Sequence, residues 1–190
     1  MSSIKKLCPD IIGIIVDYIS DTKLINTIIN LSKKLKERYN YMLVRYTGFV
    51  YHNDIKCISN YVYDLDLSFR CAYLDDNLLK FILTKCPNVK KLNISGCLKI
   101  TDKAFENLKE THTLYMSGCD QNTITDKAFE QLKGIHVLYM IDCYQNTITD
   151  KSFKHLKGIH TLYMSGCKQD TITDKAFENL KGIHTLDMFG

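Results

Sequence analysis

Residues 148–167 read ITDKSFKHLKGIHTLYMSGC. This stretch decides the fold, because the chain writes it again at a fixed distance. ITDKAFENLK begins at Ile100, ITDKAFEQLK at Ile124 and ITDKAFENLK again at Ile172, a period of 24 residues three times running. Two looser copies precede these, VKKLNISGCLKITD at 89–102 and VYDLDLSFRCAYLDD at 62–76. The leucines that open the strand-like segments are Leu65, Leu92, Leu114, Leu138, Leu162 and Leu186, spaced 27, 22, 24, 24 and 24 apart. Self-similarity at such a period marks an array of stacked supersecondary units.

Each unit has a physical reading. Leu162 and Met164 alternate with Tyr163 and Ser165, the period of a short strand. Thr149-Asp150 then precedes KSFKHLK, and Asp150 is expected to cap a helix. Phe153 and Leu156 are spaced to share one helix face. Gly158 falls where a left-handed residue closes the helix. A unit this small cannot bury its own apolar face. Stacked copies can, with strands pairing in parallel on one side and helices on the other.

The pattern resembles the leucine-rich repeat in its cysteine-containing subtype. CPNVKKLNISGCLKITDKAFENL at 86–108 carries the likeness best, with its Cys-Pro start, L-x-I strand, following cysteine and Ile-Thr-Asp turn. The resemblance implies an α/β fold: a leucine-rich-repeat solenoid with parallel strands on the concave side and short helices on the convex side. About five and a half repeats occupy 62–190, after a helical module at 1–50 and a connector at 51–61.

Cysteine and histidine recur in every unit, which raises the question of a metal. Cys97, Cys119, Cys143 and Cys167 hold one repeat position, which in the resembled family packs inward. Stacking puts them in a file with neighbours about 4.8 Å apart. A zinc site needs ligands converging to about 2.0–2.3 Å from one point. The expectation is therefore structural thiols, no metal and no cofactor. His112, His136, His160 and His184 form a second file. Duplication alone accounts for it; a pH-sensitive strip is the functional alternative. Cys-His pairs in every unit mark architecture rather than one active site, and phosphate-binding glycine motifs are absent from the sequence. An enzyme is not expected.

The other strand positions line the concave surface. They are Thr113, Tyr115 and Ser117; Val137, Tyr139 and Ile141; Thr161, Tyr163 and Ser165; Thr185, Asp187 and Phe189. Tyr115, Tyr139 and Tyr163 are expected to form a ladder across adjacent strands. Tyrosine is a favoured interface anchor. Tyr115, Tyr139, Ile141, Tyr163, Asp187 and Phe189 are the candidate target-binding residues, with recent copying of one tyrosine as the bland alternative. The last strand, at LDMFG, is expected to offer an open edge, paired with a partner or left by shortening of a larger array.

The first fifty residues are different. Pro9-Asp10 starts a helix, Ile11, Ile12, Ile15 and Ile19 make an apolar stripe, and Leu24, Ile28, Leu31 and Leu35 repeat at helical spacing. These residues carry eight of the 25 basic and four of the 21 acidic side chains, so the rest of the chain balances. A balanced repeat region gives no reason to propose nucleic acid. No segment has the length of a membrane span or the pattern of a secretory signal, so the expected location is cytoplasmic and the cysteines reduced.

Short amphipathic helices opening with a proline and preceding leucine-rich repeats resemble an F-box. The likeness rests on Leu7, Pro9, Asp10, Ile12, Ile15, Tyr18, Ile19, Leu24, Ile25 and Leu31. It departs at Ile11, where an acidic residue is usual, and in lacking tryptophan. Comparable starts occur in repeat proteins of large DNA viruses of protists, which places such a chain in host cytoplasm. The resemblance implies that Leu7, Pro9, Ile12, Ile15, Ile19, Leu24 and Leu31 bind a Skp-family linker. The chain would then be an adaptor joining a cullin ubiquitin ligase to a target protein. The alternative is a scaffold or decoy whose N-terminal helices only cap the solenoid.

Overall fold

In the computed structural model, which describes residues 44–47, 62–68 and 71–189, the period-two segments become strands and the ITD segments become short helices. The strands are β1 (Val44–Thr47), β2 (Val62–Asp66), β3 (Lys91–Asn93), β4 (Thr113–Tyr115), β5 (Val137–Tyr139), β6 (Thr161–Tyr163) and β7 (Thr185–Asp187). They form one seven-stranded sheet in chain order, each pair parallel. The helices are α1 (Asp76–Lys85), α2 (Asp102–Phe105), α3 (Asp126–Glu130), α4 (Asp150–Phe153) and α5 (Asp174–Phe177). Turns of 3-10 helix, Lys154–Leu156 and Glu178–Leu180, extend the last two. Strand-to-helix alternation with this sheet order is an open solenoid.

Register follows the sequence period. Leu65, Leu92, Leu114, Leu138, Leu162 and Leu186 are successive cross-strand partners. The first five are fully buried, whereas Leu186 is 38% exposed because no further strand of the described residues covers it. Phe105, Phe129 and Phe153 close the core from the helix side, each at 0% exposure. The core is thus one continuous apolar layer between strands and helices.

Helices of four or five residues do not persist alone in water. Two devices hold these. Thr101, Thr125, Thr149 and Thr173 are the N-caps, their hydroxyls accepting from the N–H two residues on. The expectation that Asp150 caps α4 is therefore corrected: Thr149 is the cap and Asp150 is the first helical residue. The aspartate reaches forward instead. The Thr173 N–H and O–H both donate to the Asp150 carboxylate, at 2.6 and 2.8 Å. The same clip joins Thr101 to Asp76, Thr125 to Asp102 and Thr149 to Asp126. A capping hydroxyl that accepts from its own helix has its proton free for the preceding repeat, so one threonine serves both bonds.

Gly134, Gly158 and Gly182 end the helical turns with φ of 90°, 86° and 85°. A second left-handed position sits in the turns after β3, β4, β5 and β6. Gly96, Gly118 and Gly166 hold it, and Asp142 holds it after β5 with φ 57°. Gly166→Ala is expected to cost more than Gly118→Ala in urea unfolding. Both incur about 1–2 kcal/mol for a left-handed alanine. At Gly166 the new Cβ also strikes the Asp142 carboxylate, while at Gly118 it meets no heavy atom closer than 4.0 Å. Equal midpoints for the two variants would show that Asp142 yields freely.

Strand β1 lies within the stretch expected to be the helical module. Val44, Tyr46 and Thr47 are strand-favouring types, and the segment adds to β2 with a register shift after Val44. The linker-binding candidates Leu7, Pro9, Ile12, Ile15, Ile19, Leu24 and Leu31 lie outside the described residues. Among the described residues no helix is long and apolar enough to cross a membrane.

Candidate binding face

The concave face is made of files running across the strands. Identical backbone register and a common repeat length bring equivalent side chains into contact. Tyr115, Tyr139 and Tyr163 stack as a ladder, with ring centroids 4.2 and 4.4 Å apart and planes within 10° and 9° of parallel. The rings stack on one another's faces and are half-buried. Burial, then the neighbouring phenols, push Tyr139 up to about 12, so the central phenol of the ladder stays protonated at neutral pH.

The ladder has polar ends. At one end Lys91 Nζ lies 3.2 Å from Asp64 and 5.4 Å from the Tyr115 ring centre. Burial opposes the lysine charge, but Asp64 and Tyr115 outweigh it and hold Lys91 above its ordinary value. At the other end Asp187 continues the tyrosine file. The Ser165 hydroxyl donates to Asp187 at 2.7 Å, and this bond with the Phe189 N–H holds the carboxyl below its ordinary value. The next file holds Ser117, Ile141, Ser165 and Phe189. The Gly118 N–H donates to the Ile141 carbonyl and the Gly166 N–H to that of Phe189. Ile141 is half-buried and Phe189 is 89% exposed.

All six candidate target-binding residues thus fall in two adjacent files of one face. Lys91, Asp64 and Ser165 join them there, beyond the candidates that the repeat pattern singles out. The signal for Lys91 and Asp64 is register: both occupy the repeat position of Thr113.

The histidines form a column along the rim. Successive centroids of His112, His136, His160 and His184 are 4.6, 4.5 and 4.5 Å apart. The Nδ1 atoms of His112, His160 and His184 lie 3.4, 3.0 and 3.1 Å from the hydroxyls of Thr113, Thr161 and Thr185. The column therefore adjoins the threonine file of the concave face.

The cysteine thiols point the other way. Cys119, Cys143 and Cys167 donate to the carbonyls of Ile94, Met116 and Met140 in the preceding repeat, at 3.3, 3.3 and 3.0 Å. Burial pushes Cys119 up to about 11 and Cys86 up to about 12, and raises Cys97, Cys143 and Cys167 as well. A protonated buried thiol is a small apolar filler with one weak donor. Among the described residues no group of three or more His, Cys, Asp or Glu side chains could hold a metal ion.

No known family's profile matches the chain, and no curated protein matches it. Solved structures do share the fold. One is the Rad7 and Elc1 complex in yeast, at 17% identity and TM-score 0.51, covering 66% of this chain and 32% of that one. Another is the TLR13–ssRNA13 complex, at 22% identity and TM-score 0.52, covering 68% of this chain and 18% of that one. The chain thus spans a third or less of the length of these neighbours. Parallel strands in chain order, alternating short helices and these likenesses define the class: an α/β solenoid with the leucine-rich-repeat fold.

Proposed function

We propose that the chain is a non-enzymatic protein-binding adaptor. Residues 1–50 would dock on a Skp-family linker of a cullin ubiquitin ligase, and the concave face would hold a target protein. The observation that carries the target-binding half is the open ladder of Tyr115, Tyr139 and Tyr163, bordered by Ile141 and Phe189. Rigid phenols give contact area at little entropic cost and a hydrogen bond at the tip. From β2 to β7 this face carries Asp64, Asp66 and Asp187 against Lys91, which disfavours a phosphate backbone as the occupant there. One fold neighbour is solved in complex with a protein, Elc1, and another with ssRNA13; the acidic face favours the protein case. The ligase half rests on the F-box resemblance of Leu7, Pro9, Ile12, Ile15, Ile19, Leu24 and Leu31.

The test is a pull-down of the tagged chain from eukaryotic lysate, probed for Skp-family linker and cullin, beside Ile15→Asp and Tyr139→Ala. The adaptor reading expects linker and cullin with the native chain and with Tyr139→Ala, and their loss with Ile15→Asp. A ligase target should follow Tyr139 instead, falling at least about tenfold in Tyr139→Ala, as for an interface hot spot. A folded native chain that recovers no linker returns residues 1–50 to the role of a solenoid cap.

A further inference from the structure

The histidine column touches the concave face through the hydroxyls of Thr113, Thr161 and Thr185. Its backbone is locked: the N–H of His136 donates to the His112 carbonyl, His160 to His136 and His184 to His160, each at 3.0 Å. The backbone spacing between successive histidines is therefore fixed, and a charged ring leaves its neighbours only by turning outward. The charged groups around the column do not neutralise it. Beyond His112 the next residue of the file is Lys90, whose ammonium is held by Glu110 at 3.0 Å. The turns leading into the histidines present Lys109 and Glu110, Lys133, Lys157 and Lys181, all but Glu110 basic and all exposed. The strands present Thr113, Val137, Thr161 and Thr185, which carry no charge. Among the described residues no carboxylate pairs with a column imidazole. Burial, then His136 and His184, set the charge balance of His160 and hold it below its ordinary value.

We propose that this column is a proton switch for the concave face. Neutral rings accept the Thr113, Thr161 and Thr185 hydroxyl protons at Nδ1 and carry their own proton on Nε2. A ring that gains a proton carries N–H at Nδ1 too, so the hydrogen bond reverses. The threonine oxygen then accepts from the ring, and its proton turns toward the face that holds the tyrosine ladder. The rim becomes cationic at the same time. Both changes alter the surface a target meets, so acidification releases a target fitted to the neutral face. This inference deepens the adaptor reading and rests on its target-binding half.

Long-range 1H–15N histidine spectra of the labelled full chain from pH 8 to pH 5 test it, with tyrosine ring resonances followed alongside. At pH 8 the switch expects Nδ1 unprotonated at His112, His160 and His184. On acidification His160, which has imidazoles on both sides, should titrate below the ordinary histidine range. The Tyr115, Tyr139 and Tyr163 rings should move with the histidines, in a range below the raised Tyr139 phenol and above the depressed Asp187 carboxyl. Thr161→Val should keep the His160 midpoint near the native value and remove the response of Tyr163. His160→Gln should likewise remove the response of Tyr163. A His160 midpoint in the ordinary histidine range, Nδ1 protonated at pH 8, or silent tyrosine rings would each overturn the switch. These readouts need no target, so they stand or fall apart from the pull-down.

Discussion

Phe129→Ala is expected to destabilise the protein by about 3–5 kcal/mol, the usual cost of emptying a buried phenylalanine site. Phe129 is fully buried on α3, in the middle of the array. Phe105 and Phe153 occupy the same position in the repeats on either side, so neither can swing in without vacating its own site. Phe177 supplies the internal comparison. It holds the equivalent position on α5, is only half-buried, and meets Phe153 edge-on at 5.8 Å. Phe177→Ala should cost about half as much or less, because less area leaves water on folding. In a solenoid each repeat contacts only its neighbours, so a weak link in the middle also divides the molecule. Urea unfolding followed by circular dichroism should therefore show a lower midpoint and a lower slope for Phe129→Ala, but a near-native slope for Phe177→Ala. Equal losses at the two positions would mean that the array is no more tightly built at its middle than at its end.

The phenylalanine file is legible in the sequence because its residues satisfy two periods at once. Phe153 and Leu156 fit one helix turn, and each recurs at the repeat length. The tyrosine ladder is legible for the same reason: a constant repeat puts like residues opposite each other in a parallel sheet. The threonine-aspartate clip is not. Within one repeat, Thr149-Asp150 offers two candidate caps, and the aspartate is the stronger N-cap type. What decides the matter lies 23 residues ahead, where Thr173 donates to Asp150. Local capping rules see only the helix they start. The signal that points further is the pairing itself, since Thr-Asp recurs together in the last four copies. Strand β1 gives no periodic signal because Val44 pairs with Val62, a spacing shorter than the 24-residue repeat. Lys91 is legible only through its register with Thr113, because the tyrosine ladder does not extend to its repeat, where Asn93 holds the tyrosine position.

Asp126→Ala is expected to cost about 2–4 kcal/mol at pH 7. The Asp126 carboxylate accepts from the Thr149 N–H and O–H, each at 2.8 Å, and from the Ser152 hydroxyl. Hydrogen bonds to a charged acceptor contribute about 1.5–3 kcal/mol each before solvent screening, and this site is only half-buried. Removal also strands the Thr149 N–H, the first orphan donor of α4. Asp174 is the control. It holds the same position in α5, is exposed, and accepts no clip from any following threonine among the described residues, so Asp174→Ala should stay within about 0.5 kcal/mol of native. The pH dependence separates charge from packing. Burial works against the Asp126 charge, but the bonds from Ser152 and Thr149 and the nearby Lys151 prevail, so its folded value lies below the ordinary one. An acid depressed by folding stabilises above its unfolded value, about 3.9, and that stability is lost as pH falls through the folded value. The native chain should therefore weaken below about pH 4, and the gap between native and Asp126→Ala should narrow there. Urea midpoints at pH 7 and pH 3 measure it. A gap unchanged at pH 3 would assign the clip to shape, and a gap that closes assigns it to the carboxylate that ties each helix to the next.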